Sequence, residues 1–275
     1  MKPLLNLVTD TKLSRIMGNL PQSLLLTGPV GVGTSVVATY IGATVGDVTF
    51  TVLPEKDDKI DIDKGVISVD SIRRLYIQTR SIQTGKLVII IDYAERMGHQ
   101  AQNAFLKLLE EPGSGVHFIL VTHTPSKLLP TVVSRTQQLE IQPVTPAQSL
   151  ELLETLFITN EQKKAQLLFM ADGLPAELTR LATDDDYFET SASIVRDARD
   201  LLQADVYQTI LIAQRYKDDR EKALRLVTTT SNLLRKSISK KPQSSSIAQI
   251  DSLLYAYKQI NANGNIRLCL ARLVV

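Results

Sequence analysis

"LLLTGPVGVGTS", residues 24–35, passes from an apolar run into a glycine-rich turn and then into small hydroxyl residues. A short buried strand that enters such a turn, with a helix opening directly after it, has the build of a phosphate-binding loop. Glycines let successive backbone N–H groups curl round a phosphate, and the N-terminus of the next helix faces the negative charge. Gly28, Gly31 and Gly33 supply the glycines, and a helix from Ser35 supplies the positive end. In the spacing G-x-x-x-x-G-K-[ST], Thr34 stands where lysine meets the outer phosphates, and Ser35 stands where the hydroxyl reaches magnesium. On its own the stretch reads equally as a plain strand-to-helix turn.

A second stretch weighs against the plain turn. "KLVIIIDYAE", residues 86–95, is an apolar, mostly β-branched run of the kind a strand buried on both faces requires, and it ends on Asp92. An aspartate at the C-terminal end of a hydrophobic strand downstream of such a loop is placed as a magnesium-orienting carboxylate. The other reading of Asp92 is a helix cap at a strand–helix turn. The glutamate expected next, which orients the attacking water, is replaced by Tyr93. Glu95 follows as an exposed carboxylate in a helix's first turn, or as a substitute for the missing one.

Working outward, strand-like and helix-like segments alternate through the first half of the chain, the pattern of a parallel sheet flanked by helices. "TFTVLPE" (49–55) reads as a second strand, and "SVDSIRRLYIQTRS" (68–81) as an amphipathic helix capped by Ser68 or Asp70. "HQAQNAFLKLLEEP" (99–112) is a helix stopped by Pro112, and "VHFILVTH" (116–123) is a buried strand. "PSKLLPTVVSRTQQLEIQPV" (125–144) carries a short helix and a last strand. Beyond Pro146 the strand signal ends. Three short helices over 146–184 make a small lid, and the acidic "TDDDYFE" (183–189) reads as a linker. Helical periodicity then runs to the C-terminus, broken by the polar "SKKPQSSS" (239–246). The expected organisation is an α/β core over residues 1 to about 145, a lid over 146–184 and an all-helical domain over 185–275.

Composition narrows the function classes. The 275 residues carry a formal net charge of +2, with 44% hydrophobic and 22% charged residues and no long basic tract, so composition alone does not mark a nucleic-acid binder. The single cysteine, Cys269, lies in the apolar "IRLCLARLVV" and reads as a small buried hydrophobe; one cysteine builds neither a disulfide nor a four-cysteine zinc site. The first twenty residues mix charges into their apolar positions, so neither a secretory signal nor a membrane anchor is readable, and the cytoplasm is expected.

The block from "GKLVIIIDYAE" through "NAFLKLLEEP" to "VVSRT", together with "ISVDSIRRLYIQT" upstream, resembles the core of bacterial DNA polymerase III clamp-loader subunits of the AAA+ class. Within that family the likeness is to the delta-prime type, with the gamma/tau type as the alternative. The resemblance implies an AAA+ parallel-sheet core with a helical lid and an all-α collar domain. It makes Thr122 a polar sensor, and Ser134 with Arg135 the pair that offers an arginine finger to a neighbouring subunit. The implied partners are the gamma/tau and delta subunits, the sliding clamp and primer–template DNA, with no membrane.

Departures from the family pattern point one way. The lid's second sensor arginine is Ala176, within "GLPAEL"; Thr136 replaces a cysteine, and the family's zinc module is absent. A charge-assisted phosphate contact contributes about 1.5–3 kcal/mol, so lacking cations at both 34 and 176 removes roughly two to four decades of nucleotide affinity if the losses add. The reading is a worn nucleotide site, formed by Gly28, Gly31, Gly33, Thr34, Ser35, Asp92 and Thr122, that needs no cofactor and retains at most a weak ATP/magnesium site, beside a retained in-trans arginine. An active gamma-type ATPase and an AAA+ scaffold of another process are the rivals. Arg73, Arg74 and Arg80, and Lys236, Lys240 and Lys241, are DNA-contact candidates whose default reading is a solvated face.

Overall fold

The computed structural model describes residues 2–62, 64–81, 85–240 and 245–273, with the side chains of 80, 81, 239, 240 and 245–247 left aside. The chain forms two compact units, Met1–Thr183 and Asp184–Val275.

In the first unit, α1 (Leu7–Gly18) leads into β1 (Ser23–Thr27), the glycine loop and α2 (Thr34–Val45). Then come β2 (Val48–Val52), a small antiparallel hairpin of β3 (Glu55–Lys56) and β4 (Lys59–Ile60), α3 (Val69–Ser81), β5 (Leu87–Ile91), α4 (His99–Glu110), β6 (Val116–Thr122), α5 (Pro130–Val133) and β7 (Gln137–Glu140). Five strands make one parallel sheet in the order β2-β5-β6-β1-β7. Ser68 is the cap of α3: its hydroxyl accepts the N–H of Ser71.

Period-two alternation explains why the central strands are apolar throughout. Leu25, Ile89, Ile91, Phe118 and Leu120 point to one face, where they bury Ile72 and Leu75 of α3 and Phe105 and Leu108 of α4. Leu24, Leu26, Val88, Ile90, Ile119 and Val121 point to the other, against Leu13 and Ile16 of α1 and Val37 and Ile41 of α2. Phe105 and Phe118 meet edge to face at 5.2 Å. The register pairs Thr27 with Thr122 and Ile91 with Leu120. The residues that follow β1, β5 and β6 therefore emerge together at the C-terminal edge of the sheet, where α/β sheets carry their ligand sites.

Three helices complete this unit: α6 (Pro146–Thr155), α7 (Glu161–Ala171) and α8 (Pro175–Thr183). Thr145 and Gln148 cap α6 reciprocally, and Asn160 caps α7.

The second unit is helical among its described residues: α9 (Asp185–Leu201), α10 (Val206–Arg215), α11 (Arg220–Lys240), α12 (Ser245–Asn261) and α13 (Ile266–Ala271). The acidic stretch read as a linker is instead a helix start. The Asp184 side chain accepts the N–H of Tyr187, and Asp185 and Asp186 lie in the first turn, where the helix dipole favours negative charge. A run of carboxylates looks like solvated linker until it is seen to end at a helix N-terminus. Of the polar break expected at 239–246, residues 239–240 end α11 and 245–246 begin α12, while 241–244 lie outside the described residues. Cys269 is half-buried rather than buried, on the margin of a core built on Ile194, Ile212, Leu226 and Ile260.

Candidate nucleotide site and exposed arginine

The glycine loop has the expected backbone. Gly31 (φ 87°) and Gly33 (φ 94°) are left-handed, and Gly33 is the N-cap of α2. A Cβ on Gly28 would lie 2.8 Å from the Ile141 carbonyl oxygen and 2.9 Å from Val32 Cγ1, so this approach of β1 to the loop admits only glycine. The helix begins at Thr34, directly after the glycine turn. Thr34 itself is only 1% exposed, with its methyl turned toward Gly28. The position from which a lysine would reach a phosphate is thus a short, buried side chain.

Ser35 donates its hydroxyl hydrogen to Asp92 Oδ1 at 3.0 Å, and the same oxygen accepts the Tyr93 N–H at 2.9 Å. Asp92 caps no helix: the 3₁₀ turn after it (Ala94–Arg96) has Tyr93 as its N-cap and no side-chain cap. Burial raises the Asp92 pKa above the ordinary carboxylate range, the Ser35 and Tyr93 hydrogen bonds oppose the rise, and the Glu95 charge adds to it. Glu95 is not the exposed carboxylate expected: it is half-buried, and its Oε2 is buried with no hydrogen-bond partner. The 3₁₀ turn swings it inward, which residue type alone does not reveal.

Tyr93, directly after Asp92, has a left-handed backbone (φ 54°, ψ 47°), a conformation costing a bulky residue about 1–3 kcal/mol. Its ring meets His123 edge to face at 6.4 Å, and His123 Nδ1 lies 2.8 Å from the Gly28 carbonyl oxygen. Thr122 is fully buried, and its hydroxyl accepts the Thr124 N–H. The loop, Asp92 and Thr122 therefore meet at one edge of the sheet. Their donor set suits the metal half of a nucleotide–magnesium complex through Ser35 and Asp92, but Thr34 leaves the phosphate half without a cation.

The lid closes on the same loop. Ala176 and Glu177, in the first turn of α8, both donate their backbone N–H groups to the Gly31 carbonyl oxygen, at 2.9 and 3.0 Å. A Cβ on Gly31 would lie 2.8 Å from Glu177 Cβ. Position 176 does overlie the loop, but it carries a methyl group. These backbone contacts had no signal in the sequence.

Ser134 and Arg135 follow α5 and are exposed. Ser134 Oγ donates to the Thr131 carbonyl oxygen at 3.2 Å. The Arg135 guanidinium donates from Nη1 to the same carbonyl at 3.0 Å and pairs through Nη2 with Glu110 Oε1 at 2.9 Å. Gln102 is the residue the sequence reading missed. Its amide nitrogen donates to the carbonyls of Met97 and Lys127, and its Oε1 accepts the Leu129 N–H, so α4 is stapled to the segment leading into α5. A polar residue on the apolar face of "HQAQNAFLKLL" was the available sign.

Arg73 pairs with Asp70, and Arg74 with Glu55; both arginines are exposed. The Arg80 and Lys240 side chains and all of Lys241 lie outside the described residues, while Lys236 lies on α11. Among the described residues no helix is long and apolar enough to cross a membrane, and no three His, Cys, Asp or Glu side chains converge as metal ligands.

The parallel core, the loop-borne lid and the separate helical unit define a protein of the AAA+ fold class. Within that class the chain is similar to subunits of DNA polymerase III: residues 49–145 match the family described as "DNA polymerase III, delta subunit". The chain is 32% identical over 117 residues to DNA polymerase III subunit delta' of Bacillus subtilis, covering 42% of this chain and 34% of that one. It is 33% identical over 162 residues to the Pseudomonas aeruginosa delta' subunit, covering 57% and 47%. It thus spans less than half the length of either relative. A crystal structure of a DNA polymerase III gamma subunit-related protein from Thermotoga maritima superposes with a TM-score of 0.54 over 96% of both chains at 18% identity, a likeness of fold alone.

The buried Asp92 gives a first prediction. Because its folded pKa is raised, it contributes no penalty below the unfolded carboxylate pKa, where both states hold the proton. As pH climbs from there through the raised folded value, the unfolded state releases its proton first and stability falls. Asp92→Asn is therefore expected to stabilise the free chain at pH 7, with the gain vanishing on acidification through the carboxylate range. Urea melts of both proteins at pH 3 and pH 7 check it; an equal or lower midpoint for the variant at pH 7 refutes it.

Proposed function

We propose that this chain is a delta-prime-like subunit of a DNA polymerase III clamp loader: an AAA+ subunit that does not itself hydrolyse ATP and that lends Arg135 to the ATP site of a neighbouring subunit while the sliding clamp is loaded onto primed DNA. One observation carries the reading. The loop keeps the glycines of a phosphate cradle but buries Thr34 where the cation should be, whereas Arg135 is exposed, with its guanidinium on Thr131 and Glu110. A guanidinium presented from a subunit edge stabilises charge on a neighbour's transferring phosphoryl group and presents planar, paired donors to it. The partners on this reading are the gamma/tau and delta subunits, the clamp and primer–template DNA; the helical unit serves as the collar element, in the cytoplasm.

In the chain's own site Ser35 and Asp92 can orient a metal-bound phosphate, but neither Tyr93 nor Ala176 can take the part of the carboxylate or cation it replaces. The isolated chain is accordingly expected to hydrolyse no ATP above background. Thr34→Lys should tighten nucleotide binding by about one to two decades, one charge-assisted contact, without conferring turnover. Calorimetric titration and a steady-state phosphate assay on the two proteins test this. Turnover by the unaltered chain that disappears in Asp92→Ala would favour a gamma-type ATPase instead.

A further inference from the structure

Glu110 is the last residue of α4, where the helix dipole disfavours a carboxylate and a cation is the usual occupant. Its Oε1 lies 2.9 Å from Arg135 Nη2, while Arg135 Nη1 donates to the Thr131 carbonyl oxygen at 3.0 Å. The guanidinium is therefore gripped at both terminal nitrogens by acceptors on two different helices, α4 and α5. A guanidinium has five N–H donors, so this grip leaves Nε and the outward hydrogens free in a fixed plane. Both side chains remain substantially exposed, at 40% and 52%, and an exposed pair of this kind adds little to folding. A carboxylate in an unfavourable place, spent on an arginine whose pairing hardly stabilises the chain, calls for another use.

We propose that Glu110 is a positioning residue for Arg135: it holds the guanidinium pre-oriented for a phosphate bound by a neighbouring subunit. The proposal rests on the reading of Arg135 as a donor in trans. An arginine that must find its orientation from many rotamers at each turnover loses part of its advantage as a preorganised charge. Gln102, which staples α4 to the segment that leads into α5, makes the two gripping helices one rigid platform.

The test uses the reconstituted loader with DNA and clamp, and four versions of this chain: unaltered, Glu110→Ala, Arg135→Ala and the double variant. Glu110→Gln serves as the conservative control, since its amide oxygen still accepts from Nη2. Glu110→Ala should lower kcat of the partner's ATPase about tenfold with KM for ATP unchanged. Glu110→Gln should recover most of that loss, and Glu110→Ala should change nothing further once Arg135 is alanine. Assembly, read by size-exclusion chromatography, should be the same for all. If Arg135→Ala lowers kcat and Glu110→Ala does not, or Glu110→Ala acts equally in both backgrounds or raises kcat, the positioning role is overturned and the donor role stands. If Arg135→Ala itself is silent, the donor reading fails and this proposal falls with it.

Discussion

On the proposed function, Arg135→Ala is expected to lower ATP turnover at a neighbouring subunit's site on the order of 10³-fold at saturating ATP, with clamp loading falling in step. The size follows from where the charge acts. Phosphoryl transfer spreads negative charge over the equatorial oxygens of the transferring group, and a guanidinium held against them in a dry interface stabilises the transition state more than the ground state. Arg135→Lys should rescue little, because an ammonium offers a point charge in place of the planar fork. Folding and assembly should be unaffected: the Arg135–Glu110 pair is largely exposed, and the backbone around it is set by Gln102 and the α5 turn. Thr34→Ala is the matched control in the chain's own loop and should be nearly silent in the same assay. The measurement is DNA-stimulated phosphate release by the complex, with the ATP sites of other interfaces silenced. Full turnover with Arg135→Ala and loss of turnover with Thr34→Ala would make the nucleotide held by this chain the functional one.

That contrast between two residues also shows how far the sequence could be read. The loop, the strand that leads to Asp92 and the alternation of sheet strands and helices from β1 to β7 were legible because each rests on local rules: glycine at left-handed positions, β-branched runs in strands buried on both faces, a hydroxyl cap at Ser68; α1 and the small β3–β4 hairpin had no such reading. What stayed hidden depends on how distant pieces meet. Nothing in "GLPAEL" announces that two backbone N–H groups of α8 end on the Gly31 carbonyl, since backbone donors are the same in every residue. Glu95 was misplaced because a single 3₁₀ turn decides whether a carboxylate at that position points to water or inward. The acidic "TDDDYFE" was misread for a related reason. Carboxylates are common both in solvated connections and in the first turn of a helix, and only the chain that follows tells them apart. Glu110 carries no sign of a purpose within its motif, because its partner Arg135 is remote in sequence and near in space.

Asp197→Ala is expected to cost the helical unit roughly 2–4 kcal/mol. Asp197 is 7% exposed on α9; it accepts the Tyr216 hydroxyl at Oδ2 (2.7 Å) and pairs with Arg215 at Oδ1 (3.0 Å). Through these bonds α9 is joined to the end of α10, and beside them Ser191 receives Arg225 of α11, whose guanidinium lies 4.6 Å from the Tyr187 ring centroid. Removing the carboxylate lets the half-exposed Arg215 return to water, but Tyr216 is 5% exposed and its hydroxyl is left buried without an acceptor. Most of the loss should come from that orphaned group, so Asp197→Ala combined with Tyr216→Phe should be less destabilised than the sum of the single variants. A pH signature accompanies it. Burial, and then the bond to Asp197, push the Tyr216 pKa above its ordinary 10.0, so the unfolded chain gives up the proton first and the unit loses stability as pH rises past about 10, a loss absent from Tyr216→Phe. Hydrogen exchange of the α9 and α10 amides, read separately from the sheet amides, isolates the effect in this unit. Unchanged protection in Asp197→Ala would mean that apolar packing around Ile194, Ile212 and Leu226 holds the helices and that the polar bridge is incidental.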